Sequence, residues 1–511
     1  MPDLLALLRD LWQPPSARSF DVTLGVLDTL VRHSTGSSQS VRSSDSASAQ
    51  VSFDLTSCLA DELGLTLEGA RPGCTPTPDT PLIAHIAGTK GKGSVSTMLA
   101  ARLNKAGHKV GLYTSPHLVS VTERIVVGGV PVPPQTFSRA LWSVWDDTLS
   151  VLGGSNPYTS DGQELSVGVF FRLVTLACMR AFRDEDCTAW VLETGIGGQY
   201  DHTNVVTPTA SCITRLGMDH EHLLGSDIVS IAQAKAGIIK RERPCVTLPQ
   251  HPLAMREIRD KAKRVHAPLS VVVPPYDMEG DTPLQGVYQR ENAALSREVY
   301  RQMSGCDHDG IPLLAEGDVS WPGRAQREPL PHPLKGYMYL DGAHTVDSVQ
   351  SAMVWVRHSS RAPSGVPQVL VFGSDRRRNW REMLRHISEG MGPGPVHALF
   401  VPRSMSFQST TPSPSQSGVD SGTQEMARYW DTLREGQEGE RGEALVCVEH
   451  LPQRLLEIAS DSEAMPYVPG TALPTHPTEG VRDMDVVCTG SLYLVGGVGR
   501  VLGVDMQGRR F

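Results

Sequence analysis

Apolar residues along the first part of the chain follow two rhythms. Short, mainly apolar runs at Leu82–Ala87, Val110–Tyr113, Ala189–Glu193, Ala210–Thr214 and Cys245–Leu248 have the length and bounding residues of buried strands. Between them, apolar positions recur at helical spacing over Val95–Ala106, Phe137–Thr148, Val169–Phe182 and Ile228–Ala236. Strands interleaved with helices require crossover connections, which predicts an α/β fold around a mostly parallel sheet. Ligands of such sheets bind beyond the carboxyl ends of the strands.

A second alternating series begins after Trp321. Strands are predicted at Met338–Asp341, Val369–Gly373, Ala398–Val401, Ala444–Glu449 and Val486–Leu494, with helices near Val346–Arg357, Trp380–Glu389 and Leu451–Ala459. The boundary falls within 315–325, dividing the chain into a larger domain, 1–318, and a smaller Rossmann-like α/β domain, 319–511. No internal repeat relates the two. Residues 34–50 are serine-rich, and 403–424 are rich in Ser, Thr, Gln and Pro. They bury too little apolar area to offset ordering entropy and are expected to be disordered insertions.

Length and composition agree with this division. At 511 residues the chain exceeds what one core serves. A formal net charge of −9 without a basic stripe excludes a nucleic-acid partner. The nine cysteines form no C-x-x-C pair, which suits free thiols in a reducing compartment. No run approaches the ~18 apolar residues of a membrane span. Near the start, Arg9, Arg18 and Arg32 are matched by Asp3, Asp10, Asp21 and Asp28, too acidic a mixture for a transit peptide.

Chemistry concentrates where the predicted strands end. Leu82–Ala87 runs into Gly88-Thr89-Lys90-Gly91-Lys92-Gly93-Ser94 and then a helical pattern. Glycines let backbone N–H groups converge on an anion, and the helix dipole adds positive character. Lys92 is placed to reach outer phosphates and Ser94 to hold magnesium. The spacing departs from the usual phosphate-loop pattern, since Ile86 stands where a glycine is common and Gly93 separates Lys92 from Ser94. Further polar clusters follow other strands: Tyr113–Leu118, Val191–Gly198 and Leu216–Gly225. Glu193 closes a buried strand and, with Ser94, offers the hard oxygen ligands magnesium prefers. Zinc at His220 and His222 is disfavoured, because residues two apart cannot share a helix face and no third soft ligand is suitably spaced.

These motifs in order resemble the folylpolyglutamate synthases of the Mur ligase superfamily. The resemblance rests on Gly88–Ser94, Thr114–Leu118 with Glu123-Arg124-Ile125, Glu193–Gly198 with Asp201 and Thr203-Asn204, Asp219-His220 with Leu224-Gly225, and Lys235–Lys240. It continues through Gln289, Asn292-Ala293, Trp321–Arg324 with Gln326, Leu340–His344, Thr489–Leu492 and Leu494–Gly497. Trp321–Arg324 and Phe170–Leu176 look like the eukaryotic, polyglutamating branch.

The resemblance implies a Mur ligase-like pair of domains and an ATP-dependent ligase. The γ-carboxylate of a folate would be phosphorylated by ATP, and the amine of L-glutamate would then displace phosphate. Gly88, Thr89, Lys90, Gly91, Lys92, Gly93 and Ser94 would bind the triphosphate. Asn292, Arg324, Asp341 and His344 would complete the nucleotide site. Ser94 and Glu193 would hold one Mg²⁺, and Ser115, Glu193 and His220 a second, while K⁺ is a candidate monovalent ion. Lys235 matches a lysine that relatives carry as a carbamate; on the residues alone it reads as a surface lysine. Lys92, Glu193, His220 and Lys235 form the expected catalytic set. The implied enzyme is a cytoplasmic monomer with a mitochondrial form.

Three departures stand out. Val26–Arg32 replaces a Leu-Asn-x-Leu-Gln-type segment on the folate side, Arg378-Asn379 replaces an Arg-Asp pair, and His202 occupies the place of a small residue. Rival readings are a single-addition dihydrofolate synthase, a catalytically silent ATP-binding homologue, and a kinase or GTPase. The last leaves Asp341-Gly342-Ala343-His344 unexplained.

Overall fold

The computed structural model describes residues 8–36, 46–153, 168–274, 281–286, 288–360, 366–376, 378–391, 396–401, 421–434, 442–445, 451–460, 483–506 and 510–511. Two sheets organise them. The first contains β1 (Leu82–Ala87), β2 (Val110–Tyr113), β3 (Ile125–Val127), β4 (Val130–Pro131), β5 (Ala189–Glu193), β6 (Ala210–Ile213), β7 (Cys245–Thr247) and β8 (Leu269–Val271), in the order β4-β3-β2-β5-β1-β6-β7-β8. Pairing from β2 through β8 is parallel, and only the β2–β3 and β3–β4 pairs are antiparallel.

Alternation along β1 shows why its sequence is apolar at every position but His85, which is itself buried with its Nε2 2.8 Å from the Thr203 hydroxyl. Leu82, Ala84 and Ile86 face the helix Lys92–Lys105 and the helix Gln289–Ser304, whose Leu295, Val299 and Met303 fill that layer. Ile83 points the other way, toward Phe137, Leu141, Trp145, Leu173 and Phe182 from the helices Pro134–Gly153 and Val169–Asp184. A parallel sheet covered on both faces leaves its strands no polar side. Only the strand ends are open, and there the predicted polar clusters lie.

The second sheet contains β9 (Gln326–Pro329), β10 (Lys335–Leu340), β11 (Gln368–Phe372), β12 (Val396–Phe400), β13 (Gly442–Ala444) and β14 (Asp483–Thr489), ordered β13-β12-β11-β14-β10-β9. It is parallel apart from β9 against β10. Met338 and Leu340 enter one core and Tyr339 the opposite one. Phe511 does not stay with this lobe; it packs with Ile311, Leu314 and Val319 in the core of the first.

Several expectations are corrected. The strand expected over Val486–Leu494 ends at Thr489, and a helix runs from Leu492 to Val501. Gly490 at φ +107° turns the chain and Ser491 precedes the helix, so one apolar stretch serves two elements. The helix expected from Val95 begins at Lys92. Both ends of the insertion expected over 34–50 are helical, within Phe20–Gly36 and Ser46–Glu62; residues 37–45 lie outside the described ones. In the 403–424 stretch a helix starts at Ser421, and residues 402–420 lie outside the described ones. β13 ends at Ala444, with 446–449 of the strand expected there outside the described residues.

Candidate active site

The turn after β1 is held open by what lies against it. Gly88 has φ +150° with the Thr214 hydroxyl where a Cβ would stand, and Gly91 has φ +88° with the Asn292 amide in the same relation. A Cβ on Gly93 would press on the Trp321 ring, with Cε2 at 3.1 Å. Thr214 Oγ1 donates to the Lys90 carbonyl at 2.7 Å. The Thr89 and Lys90 N–H groups donate to the Arg215 carbonyl at 3.0 and 3.1 Å. The loop is thus stitched to the exit of β6, and the helix beginning at Lys92 has no side-chain cap on its N-terminus. Uncapped amides at a fixed helix start form an anion site. Ile86 departs from the usual pattern because it is still strand, fully buried, so the phosphate-facing turn starts only at Gly88.

Two lysines converge on that turn. Lys92 Nζ donates to the Gly88 carbonyl at 3.2 Å and Lys235 Nζ to the same oxygen at 2.8 Å. Lys235 is 4 % exposed, which removes the surface-lysine reading. Burial, reinforced by the neighbouring Lys92 charge, lowers its pKa to about 7. Burial likewise lowers Lys90 to about 8.

Above the turn lies a cleft of about 490 Å³ between the lobes. Of the expected residues, Thr89, Lys90, Gly91, Lys92, Gly93, Ser94, Ser115, Glu193, His220, Asn292, Arg324, Asp341 and His344 all line it. Gly88 and Lys235 do not; they form the layer beneath. Glu193 ends β5 in register with Ile86 and is 3 % exposed. Burial raises its pKa, opposed by Lys92 and by a hydrogen bond from the Ser115 N–H at 3.0 Å. His220 opens the short helix Glu221–Leu224 from a left-handed conformation. Burial lowers its pKa to about 4, so its imidazole is neutral at pH 7.

The second lobe contributes from the end of β10. Asp341 accepts N–H bonds from Ala325 at 2.8 Å and Ala343 at 2.9 Å, and a hydroxyl bond from Tyr288 at 3.4 Å. His344 Nδ1 lies 2.8 Å from the Gly342 carbonyl, and burial lowers its pKa to about 3. Asn292 Nδ2 donates to Gln289 Oε1 at 2.8 Å, and Gln289 Nε2 donates to Ser94 Oγ at 3.4 Å. The helix Gln289–Ser304 therefore ties the phosphate turn to the approach to the second lobe.

Asp219, Tyr288, Arg378 and Tyr493 also line the cleft but are absent from the predicted set. Asp219 had a signal in its place beside His220 after a strand. Arg378, read only as a departure, donates to the His344 carbonyl at 2.8 Å. Tyr288 and Tyr493 carry no motif of their own.

A magnesium ion fits this donor set in a particular way. No group of three or more His, Cys, Asp or Glu is arranged to hold a metal among the described residues. Glu193 is a buried carboxylate accepting one hydrogen bond among them, from Ser115. A cation would add to the incomplete compensation that Lys92 and Arg324 give this carboxylate, with Ser94, Ser115 and His220 lining the same cleft and the remaining ligands coming from phosphate and water.

No protein-family model matches the chain. It is similar to the mitochondrial folylpolyglutamate synthase of Bos taurus, at 31% identity over 503 residues covering 82% of this chain and 83% of that protein. The mitochondrial folylpolyglutamate synthase of Homo sapiens is 30% identical over 504 residues, covering 82% of each. Among solved structures, the Mycobacterium tuberculosis folylpolyglutamate synthase complexed with ADP and AMPPCP superposes with a TM-score of 0.64 at 22% identity, covering 89% of this chain and 96% of that one.

Proposed function

The chain belongs to the folylpolyglutamate synthase family, and from that premise we propose that its interlobe cleft joins the γ-carboxylate of a reduced folate or folylpolyglutamate to the amine of L-glutamate at the expense of ATP. The observation that carries this reading is the facing of two half-sites. An uncapped helix start with Lys92 on one lobe opposes Arg324, Asp341 and His344 on the other, with Glu193 in the same cleft.

A carboxylate resists amines because its charge repels them and its oxygen is a poor leaving group. Phosphorylation removes both obstacles. The folate carboxylate oxygen bonds the γ-phosphorus as the bond to the β-phosphate oxygen breaks, releasing ADP. The glutamate amine then adds to the acyl carbon, loses a proton and expels inorganic phosphate. Loop amides and Lys92 hold the phosphates, Arg324 offers a fixed charged fork, and neutral His344 and Asp341 position the nucleotide. Magnesium held by Ser94, Ser115, Glu193 and His220 would neutralise phosphate charge. K⁺ is a further ion in this reading. Closure of the lobes would keep water from the acyl phosphate. No helix among the described residues is long and apolar enough to cross a membrane. The reading includes a monomer in the cytoplasm with a mitochondrial form, in keeping with relatives named as mitochondrial.

Incubation with MgATP, L-glutamate and tetrahydrofolate should give a ladder of glutamate additions by mass spectrometry, with one ADP per addition. A single addition, restricted to dihydropteroate, would assign a dihydrofolate synthase instead.

Lys235 is read as a carbamate. Capture of CO₂ needs a neutral amine, and an amine with pKa about 7 is half neutral at pH 7. The ordinary value of 10.5 would leave a fraction of about one in 3 × 10³. With ¹³C-bicarbonate, a carbamate signal assigned to Lys235 should grow from pH 6 to 8 and vanish in Lys235→Met. Equal spectra of the two proteins would refute the modification.

A further inference from the structure

We infer that Arg510 is a positioning residue for the ligase reaction, pinning the loop that carries Ser115 and the wall behind the phosphate turn to the crossing between the lobes. The inference rests on the ligase reading above but concerns a part of the chain that no cleft residue touches in sequence.

Arg510 is buried, 2 % exposed, although it lies almost at the end of the sequence. Its backbone joins two segments: its N–H donates to the Gly129 carbonyl at 2.6 Å, and its carbonyl accepts from Ser320 at 2.9 Å. Gly129 is the turn between β3 and β4, and Ser320 belongs to the connection entering the second lobe. The guanidinium lies 5.6 Å from the centre of the Trp321 ring, the same ring that stands against Gly93 of the phosphate turn. Its Nη2 donates to Glu123 Oε2 at 3.4 Å and to the Met506 carbonyl at 3.3 Å.

Glu123 shows what this link controls. Its carboxylate gathers three successive backbone N–H groups, from Leu118 at 2.9 Å, Val119 at 2.8 Å and Ser120 at 2.6 Å. These residues lie three to five positions after Ser115, which lines the cleft. Leu118 itself packs in the core of the second lobe, and its carbonyl lies so near Gly496 that a Cβ there would overlap it. One short loop therefore has a cleft residue at one end and a plug in the opposite lobe at the other. Arg510 is the cation paired with the carboxylate that shapes it.

A buried ion pair is weak evidence for stability, because desolvation offsets the attraction. Its directional bonds do fix geometry. Here they fix the loop, and the guanidinium also backs the tryptophan ring without a hydrogen bond to it; both bear on how the two half-sites face each other. Losing them should misalign the reacting groups while leaving each nucleotide contact in place, and an ångström-scale misplacement can cost about 100-fold in rate.

The test compares Arg510→Gln and Arg510→Lys in the full chain by steady-state kinetics, calorimetric titration with AMPPCP, and thermal melting. Arg510→Gln should lower kcat by about 10- to 100-fold while the AMPPCP affinity and KM for ATP stay within about threefold of wild type. Arg510→Lys, which keeps the charge facing Glu123 but not the forked donors, should recover part of kcat. Adding Glu123→Gln to Arg510→Gln should cost less than the two single effects combined, since both cut one link. Wild-type kcat in a folded Arg510→Gln overturns the inference. So does parallel loss of kcat and AMPPCP affinity with no rescue by lysine, which marks a merely structural residue. If Arg510→Gln does not fold, Glu123→Gln alone decides: lowered kcat with retained AMPPCP affinity supports the link, and unchanged kcat overturns it. Absence of glutamate-dependent ADP release in the wild-type chain would instead strike the ligase reading.

Discussion

Lys92→Ala is expected to abolish turnover, lowering kcat by at least about 10³-fold, or about 4 kcal/mol of transition-state stabilisation. Phosphoryl transfer asks the protein for charge and alignment rather than covalent help, and Lys92 is the lysine of the turn whose amides receive the phosphates. The folded state should survive the change. Lys92 shares the Gly88 carbonyl with Lys235, and their mutual repulsion is one cause of the low Lys235 pKa. Removing it should therefore raise the pKa of Lys235 above about 7. A ¹³C-bicarbonate titration of Lys92→Ala should show the carbamate signal appearing at higher pH than in wild type. Retained turnover, measured as ADP release dependent on glutamate, would contradict the phosphate role of this side chain.

The fold was legible wherever burial on both faces of a sheet forced a mainly apolar run. β1, β2 and β5 coincide with the expected limits because each is a core strand ending at a polar cluster. The same criterion failed at Val486–Leu494. An apolar run cannot tell strand from buried helix, and the break at Gly490 depends on a positive φ rather than on composition. The helix Gln289–Ser304 escaped for a different reason: five of its 16 residues are charged, Arg290, Glu291, Arg297, Glu298 and Arg301, and its buried face mixes polar Gln289, Asn292 and Ser296 with apolar residues. Yet it supplies Asn292 and Gln289 to the phosphate turn.

Site residues were legible where chemistry demanded a rare combination at a strand end. Gly88–Ser94, Glu193 and Asp341–His344 are such cases, and the fold gathers them around one cleft, with Gly88 just below. What the sequence could not show is layering. Lys235 lies under the turn, out of the cleft. Arg510 reaches Glu123 across 387 positions, a distance at which no local pattern survives. Both relations follow from how lobes and loops pack, which spacing along the chain does not encode.

Glu193→Gln separates function from stability most sharply, because the two should move in opposite directions. The carboxylate is buried at the end of β5, and desolvation raises its pKa above the ordinary 4.5 despite Lys92 and the Ser115 N–H. A carboxyl whose folded pKa exceeds its unfolded value binds the proton more tightly when folded. Its ionised form then weakens the fold as pH rises through that value, and the deficit is complete above the folded pKa. Neutral glutamine keeps the shape and removes the deficit, so the ligand-free variant should melt at a higher temperature than wild type at pH 7.5, and the difference should shrink toward pH 4. Turnover should fall by about 10²-fold or more, because the same desolvated charge is what would draw magnesium to the phosphates. Excess magnesium should recover less activity in the variant than in wild type. A variant that melts lower at pH 7.5 would show that the carboxylate is paired within the ligand-free protein, and a variant with full kcat would remove Glu193 from the catalytic set.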